Sequence, residues 1–442
     1  MGHSRHASVP GPTGERIVSA ARSPKPSTHH ELLAAGQLRA GAPHPDTRTL
    51  LRRAARFGGL SERVSLAEAR RNLQLMTPLL ASFPRVALVQ TRSIPTSQGS
   101  IRVRVVVPAR DREPRPAIVW FHGGGFVLGD LSTAEPTARS LALRTGAVVI
   151  CVEYRKAPEH SLDDAYQDGL DALRWVRTNA TSLSADPDRI AVGGDSAGGN
   201  IAAVVAQEYQ ASAERGLAAQ LLVYPAVAQL SDPFPSKQEN LDGGALDRKA
   251  IRWFETHIAG AQTPGSARYA PLGTKDLSAL PATVIITAGF DPLRDEGLAY
   301  YDRLRQARVP ATLLHYPDEI HGFFTMDAVL ANGRTALEQA GRVVAGLLGS
   351  FPVGSESAII APLTHVTSMA RTRAYRAAGW AAFVGSRMLQ SQLRYQRRFL
   401  ELSGLLAEGQ IAALTDHFRL MCGCGPSATS MTDPDGETRE VS

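Results

Sequence analysis

From about residue 83 to residue 350 the chain alternates short apolar runs with longer amphipathic stretches. The runs 117–121, 147–152, 190–192, 220–224, 283–287 and 312–316 are continuous and rich in β-branched residues, the pattern of strands buried on both faces. Ile101, Val103, Val105 and Val107 alternate with their neighbours, which predicts a further strand that is half exposed at one end at least. Between most of these runs lie stretches of helical length and pattern, 133–145, 161–180, 197–214 and 296–308. Apolar strands alternating with helices predict an α/β fold with a mainly parallel central sheet covered on both faces. Residues 226–280 break the rhythm. They carry Pro233, Pro235, Pro264 and several glycines around a helical piece at 251–257, so they are expected to form an insertion over the C-terminal edge of the sheet. Upstream, Leu50, Leu51, Ala55, Leu60, Leu66, Ala69, Leu73, Met76 and Leu79 recur at near-helical spacing and predict one or two amphipathic helices within 47–82.

The flanks differ in composition. Residues 1–46 are rich in Pro, Gly, Ser, His and Arg and are expected to form a flexible basic arm. Residues 351–366 read as a linker, 367–420 as helical, and 421–442 as a frayed tail. The catalytic body is thus expected at 47–350, within a chain of 442 residues that is 43% apolar and 20% charged. That composition excludes a wholly disordered or fibrous chain. The net charge of +6 belongs to the arm: residues 1–60 hold nine Lys/Arg against three Asp/Glu, while 61–354 hold 30 against 31. A near-neutral body disfavours nucleic acid as a partner. The three cysteines, Cys151, Cys422 and Cys424, are too few for a disulfide framework, and Cys422-Gly423-Cys424 offers only two ligands to a metal. No apolar run reaches spanning length and the first residues lack an apolar signal core, so a cytoplasmic protein is expected.

Four segments carry chemistry. Gly194-Asp195-Ser196-Ala197-Gly198 follows an apolar run and precedes a helical stretch. In a strand–turn–helix context this G-x-S-x-G thrusts the serine hydroxyl out at a helix N-terminus, where the dipole favours developing negative charge. The plainer alternative is a glycine-rich helix start. His122-Gly123-Gly124-Gly125-Phe126 follows the run 117–121. Its glycines let the backbone approach a ligand and aim N–H groups at it, as acyl transfer needs at a developing oxyanion. A phosphate loop is the alternative, but no G-x-x-x-x-G-K-[ST] accompanies it. A serine nucleophile needs a base and an orienting acid, which follow it in the order acid then histidine on such sheets. Asp291 lies just after the run 283–287, and His321 lies 30 residues beyond it in a loop after the run 312–316. Asp295 is the competing acid, set deeper in the next helix. Asp195 reads as a buried hydrogen-bonding group. Glu159-His160 could suggest a metal, but no partner set of the H-E-x-x-H kind occurs, so a structural role is favoured.

These segments, with Asp291-Pro292-Leu293-Arg294-Asp295-Glu296-Gly297, His321-Gly322-Phe323, Glu153-Tyr154-Arg155, Ala157-Pro158-Glu159-His160 and Tyr224-Pro225, resemble the bacterial hormone-sensitive lipase family of carboxylesterases over roughly residues 50–350. Glu153 and Lys156 depart from the family's more usual Asp and Leu. The resemblance implies an α/β-hydrolase fold with a helical cap built from about 47–82 and 226–280. It also implies cofactor-free, metal-free hydrolysis of short- to medium-chain carboxylic esters. Carried over, Ser196 is the nucleophile, His321 the general base and acid, and Asp291 the orienting acid. The N–H groups of Gly123, Gly124 and Ala197 form the oxyanion hole. A lipase, lactonase or amidase with the same triad is the alternative reading, and a non-catalytic ligand receptor on the same fold is the second.

Residues 371–400 hold seven arginines and no Asp or Glu, interleaved with Trp380, Phe383, Leu389, Leu393 and Phe399. Such a helix can lie on an anionic membrane or granule surface, and 392–414 resembles phasins. The favoured expectation is nonetheless a helical hairpin docked on the body or pairing two subunits as a homodimer.

Overall fold

The computed structural model describes residues 37–349, apart from 56–59, 62, 110–113, 213–215, 230, 243 and 263–267, together with the backbone of 358–360. Most of the expected arm, most of the linker, the helical C-terminal extension with its membrane or granule segment 371–414, and Cys422 and Cys424 lie outside the described residues. Nine strands form one sheet: β1 (Leu88–Thr96), β2 (Gly99–Val107), β3 (Arg115–Phe121), β4 (Val148–Glu153), β5 (Ala185–Asp195), β6 (Ala219–Val223), β7 (Ala282–Phe290), β8 (Ala311–Ile320) and β9 (Ala358–Ile360). The helices are α1 (Pro45–Ala54), α2 (Leu66–Leu80), α3 (Leu131–Thr145), α4 (Leu162–Thr178), α5 (Ala197–Ala211), α6 (Pro235–Glu239), α7 (Arg248–Ile258), α8 (Arg294–Gln306) and α9 (Ala331–Gly349).

The strand order is β1-β2-β4-β3-β5-β6-β7-β8-β9. β1, β2 and β4 pair antiparallel, and every pair from β4 onward is parallel. The apolar run of β3 shows why: Ala117, Val119 and Phe121 enter one core while Ile118 and Trp120 enter the other. Side chains alternate across a strand, so a continuous apolar run is stable only with helices on both faces. α4, α5 and α8 supply residues to the first core, and α3 and α9 to the second. Local signals close the helices. Asp130 and Ser161 make capping boxes at the starts of α3 and α4, and Gly146 ends α3 in the left-handed conformation at φ +70°.

Four differences separate the structure from the sequence expectations. β1 is an antiparallel edge strand, largely exposed, so its polar sequence carries no apolar run. Residues 317–320, expected as loop, continue β8 past a register shift opposite β7. Residues 358–360, expected as linker, pair with β8 as β9. The last ten residues of the segment whose composition suggests an arm also lie against β8. Ala40 N–H donates to the Pro317 carbonyl and His44 N–H to that of Asp318, both at 2.8 Å, and Leu38 is buried. Residues 60–80 and the insertion meet over the C-terminal ends of the parallel strands, joined where Trp253 Nε1 donates to the Val64 carbonyl at 2.9 Å. No described helix is long and apolar enough to cross a membrane.

Candidate active site

Ser196 stands between β5 and α5 with φ +57° and ψ −119°, a backbone region a side-chain-bearing residue seldom enters. The turn is tight. A Cβ at Gly194 would lie 2.2 Å from the Gly198 carbonyl oxygen, and one at Gly198 would lie 2.1 Å from that of Phe121. Only glycine fits at either place, which holds the serine outward.

His321 follows β8 and Asp291 follows β7. His321 Nε2 lies 2.9 Å from Ser196 Oγ, and His321 Nδ1 lies 2.8 Å from Asp291 Oδ2. A carboxylate can only accept, so the Nδ1 proton points at Asp291 and Nε2 is left to accept the serine O–H. Asp291 is fully buried, and its Oδ1 accepts the Leu293 N–H at 2.8 Å. Its main-chain carbonyl takes the Asn240 amide at 3.1 Å. The Tyr224 ring packs against the imidazole with centroids 4.6 Å apart. Asp295 faces elsewhere: its oxygens accept Ser236 N–H at 2.8 Å and Arg294 Nε at 2.7 Å, so it fastens the insertion to α8.

The glycine loop lies beside the serine with Gly124 at φ +121° and Gly125 at φ +61°. One expectation changes here. The Gly123 N–H donates to Asp195 Oδ1 at 3.0 Å and is therefore already engaged. Sequence spacing cannot reveal that bond, because its acceptor is a side chain 72 residues away. Gly124 and Gly125 have no hydrogen-bond acceptor for their N–H groups among the described residues, and both line the cavity in front of Ser196. Ala197 is the first residue of α5, where the N–H has no intrahelical partner. His122 turns its Nδ1 to the Gly123 carbonyl at 2.8 Å, and burial holds its pKa down at about 3, so the ring is neutral. Burial also lifts the Asp195 carboxyl to about 6.

The serine opens into a cavity of about 660 Å³. Leu73, Leu80, Phe234, Leu241, Ile251, Phe254 and Ile258 give it apolar walls from residues 60–80 and from the insertion. Arg70 ties α2 to the body beneath, donating to the carbonyls of Val127 at 2.9 Å and Ala157 at 3.1 Å and pairing with Glu159 at 2.7 Å. Those bonds hold the Glu159 carboxyl down at about 2 and give it the structural role favoured from sequence. On the far wall Glu296 accepts the N–H groups of Val227 and Ala228 and lies 3.4 Å from Lys237 Nζ; burial raises its pKa to about 7. No sequence pattern gave a role to Glu296 or Lys237, whose contact forms only when the insertion folds back onto α8.

A family model described as alpha/beta hydrolase fold matches residues 118–325. The carboxylesterase NlhH of Mycobacterium tuberculosis is 43% identical over 253 residues, covering 56% of this chain and 77% of that protein. An ethyl acetate hydrolase of Pseudomonas putida is 35% identical over 273 residues, covering 60% of this chain and 84% of that one. Among solved structures, an ester-hydrolase from the metagenome of Lake Arreo, complexed with a derivative of bipyridine phosphonate, matches with TM-score 0.65 and 37% identity. That match covers 70% of this chain and 99% of the other.

Proposed function

Since the chain belongs to the bacterial hormone-sensitive lipase family of carboxylic ester hydrolases, we propose that Ser196, His321 and Asp291 are its catalytic triad and that its substrates are uncharged esters of short to medium acyl chain. The observation that carries this reading is the hydrogen-bonded row from Asp291 through His321 to Ser196, with Ser196 and His321 lining an apolar cavity. His321 Nε2 takes the hydroxyl proton as Ser196 Oγ bonds to the ester carbonyl carbon. The electron pair of the carbonyl moves onto its oxygen, which the N–H groups of Gly124, Gly125 and Ala197 receive in place of the Gly123–Gly124 pair expected from sequence. As the pair returns, the bond to the alkoxy group breaks and His321 gives it the proton. Water, deprotonated by His321, then attacks the acyl-serine, and the acid leaves.

A cavity of about 660 Å³ sits within the range of about 300–1,000 Å³ that holds small organic ligands. Its apolar walls and the near-neutral body support uncharged esters over polyanions. We further propose that α2 and α7 act as the cap that walls the acyl group within the cavity while water reaches the acyl-serine for hydrolysis, with 47–350 as the catalytic unit. A panel of p-nitrophenyl esters from acetyl to palmitoyl, with the matching anilides and lactones, tests the substrate class. The reading expects a maximum of kcat/KM at a chain of intermediate length and anilide turnover far below ester turnover. A maximum at palmitoyl favours a lipase, and anilides or lactones hydrolysed as fast as esters favour an amidase or lactonase.

A further inference from the structure

The Asp195 carboxylate takes no part in the proposed proton relay, yet it lies against the glycine loop beside the nucleophile. β3 and β5 pair as far as Phe121 opposite Gly194, and then they part, one into the glycine loop and the other into the serine turn. The bond from Gly123 N–H to Asp195 Oδ1 continues the pairing one residue further, with a side chain standing in for a main-chain acceptor. The carboxylate lies flush against the loop, since a Cβ at Gly123 would come within 2.4 Å of Asp195 Oδ2. This contact explains why the first of the three glycines has to be glycine although its N–H is taken by Asp195.

The loop's other hydrogen bonds run elsewhere. The Tyr154 hydroxyl donates to the His122 carbonyl at 2.7 Å, Arg70 Nε to that of Val127 at 2.9 Å, and Ala157 N–H to that of Phe126 at 3.0 Å. None of these bonds reaches β5. The oxyanion donors come from the same two segments: Gly124 is one residue past Gly123, and Ala197 is two past Asp195. We propose that Asp195 is a positioning residue that fixes the spacing between the Gly124 and Ala197 N–H groups through its hydrogen bond to Gly123. The proposal rests on the reading of Ser196 as nucleophile. A displacement of about 1 Å in such a donor set can cost about 10²-fold in rate, and because the oxyanion forms only in the transition state the loss falls on kcat.

The test measures kcat and KM for p-nitrophenyl butyrate, per folded molecule, in Asp195→Ala, Asp195→Asn and Ser196→Ala. Asp195→Ala is expected to lower kcat about 10²-fold with KM within about threefold. Asp195→Asn keeps an acceptor oxygen in place and is expected to recover most of that loss. A role confined to folding would lower the melting temperature and leave kcat per folded molecule at the wild-type value, which would overturn the proposal. An equal loss in the Asn and Ala variants would overturn it too. Should Asp195→Ala fail to fold, Asp195→Ser takes its place, its hydroxyl being too short to reach Gly123; kcat is then expected to fall with Ser and to hold with Asn. Wild-type turnover by Ser196→Ala would contradict the nucleophile assignment instead, so the two failures are distinguishable.

Discussion

Phe254 of the insertion packs on the glycine loop. Its ring covers Gly125 so closely that a Cβ there would lie 2.3 Å from the ring's Cδ1. It also lines the cavity and packs edge-on against Trp253, with centroids 5.4 Å apart. Phe254→Ala removes a six-carbon ring from the cavity wall. Each methylene that a substrate can newly bury is worth about 0.8 kcal/mol, or about fourfold in kcat/KM. Two further methylenes, well within the volume of the ring, are worth roughly fifteenfold. Loss of a core Phe costs about 3–5 kcal/mol of stability; Phe254 is only half-buried, so a smaller loss is expected. The assay is kcat/KM over two series, p-nitrophenyl esters of rising acyl length and alkyl acetates of rising alcohol length. The variant is expected to move the maximum of at least one series by about two methylenes. Unchanged maxima in both series, in a variant that melts cooperatively, would refute the assignment of Phe254 as a wall of the substrate cavity.

The two candidate acids, Asp291 and Asp295, should separate cleanly. Asp291→Asn is expected to lower kcat about 10⁴-fold, because the amide no longer holds the imidazole in the required tautomer, whereas Asp295→Ala leaves the buried Arg294 short of a partner and is expected to cost about 3–5 kcal/mol in urea unfolding with little change in kcat per folded molecule; the opposite pattern would make Asp295 the orienting acid. Glu319 is buried, accepts the Thr47 hydroxyl at 2.7 Å, and has its pKa raised to about 8, chiefly by burial, against an unfolded value of 4.5. The folded state therefore holds a proton that the unfolded state has lost, so this group's contribution is complete below pH 4.5 and declines as pH rises through about 8. Glu319→Gln should flatten the fall in unfolding free energy across that window, and parallel curves for variant and wild type would contradict the buried neutral carboxyl.

The parallel core was legible in the chain because strands buried on both faces must be apolar throughout, as in 117–121 and 283–287. β1 escaped because an exposed edge strand needs no such run. α9 escaped because its glycines dilute the helical signal. One of them, Gly341, lets the helix approach α3 so closely that a Cβ would meet Arg144 Cβ at 2.5 Å. At the site, Ser196, Asp291 and His321 were readable because each stands just past the C-terminal end of an apolar strand, in the order such a sheet imposes. The partner of Gly123 was not readable, because a hydrogen bond to a side chain 72 residues away leaves no mark on local pattern. Nor were the cavity walls, which arise from two stretches that meet only when the insertion folds back over the strand ends.

The central claim is that Ser196 is a nucleophile activated by His321. Intact-protein mass spectrometry after incubation with a fluorophosphonate probe tests it most directly, with Ser196→Ala treated alongside. The account predicts one covalent adduct per chain on Ser196, loss of p-nitrophenyl butyrate hydrolysis in step with labelling, and neither labelling nor hydrolysis in a folded Ser196→Ala variant. Labelling at another residue, or turnover near wild type by that variant, would contradict it.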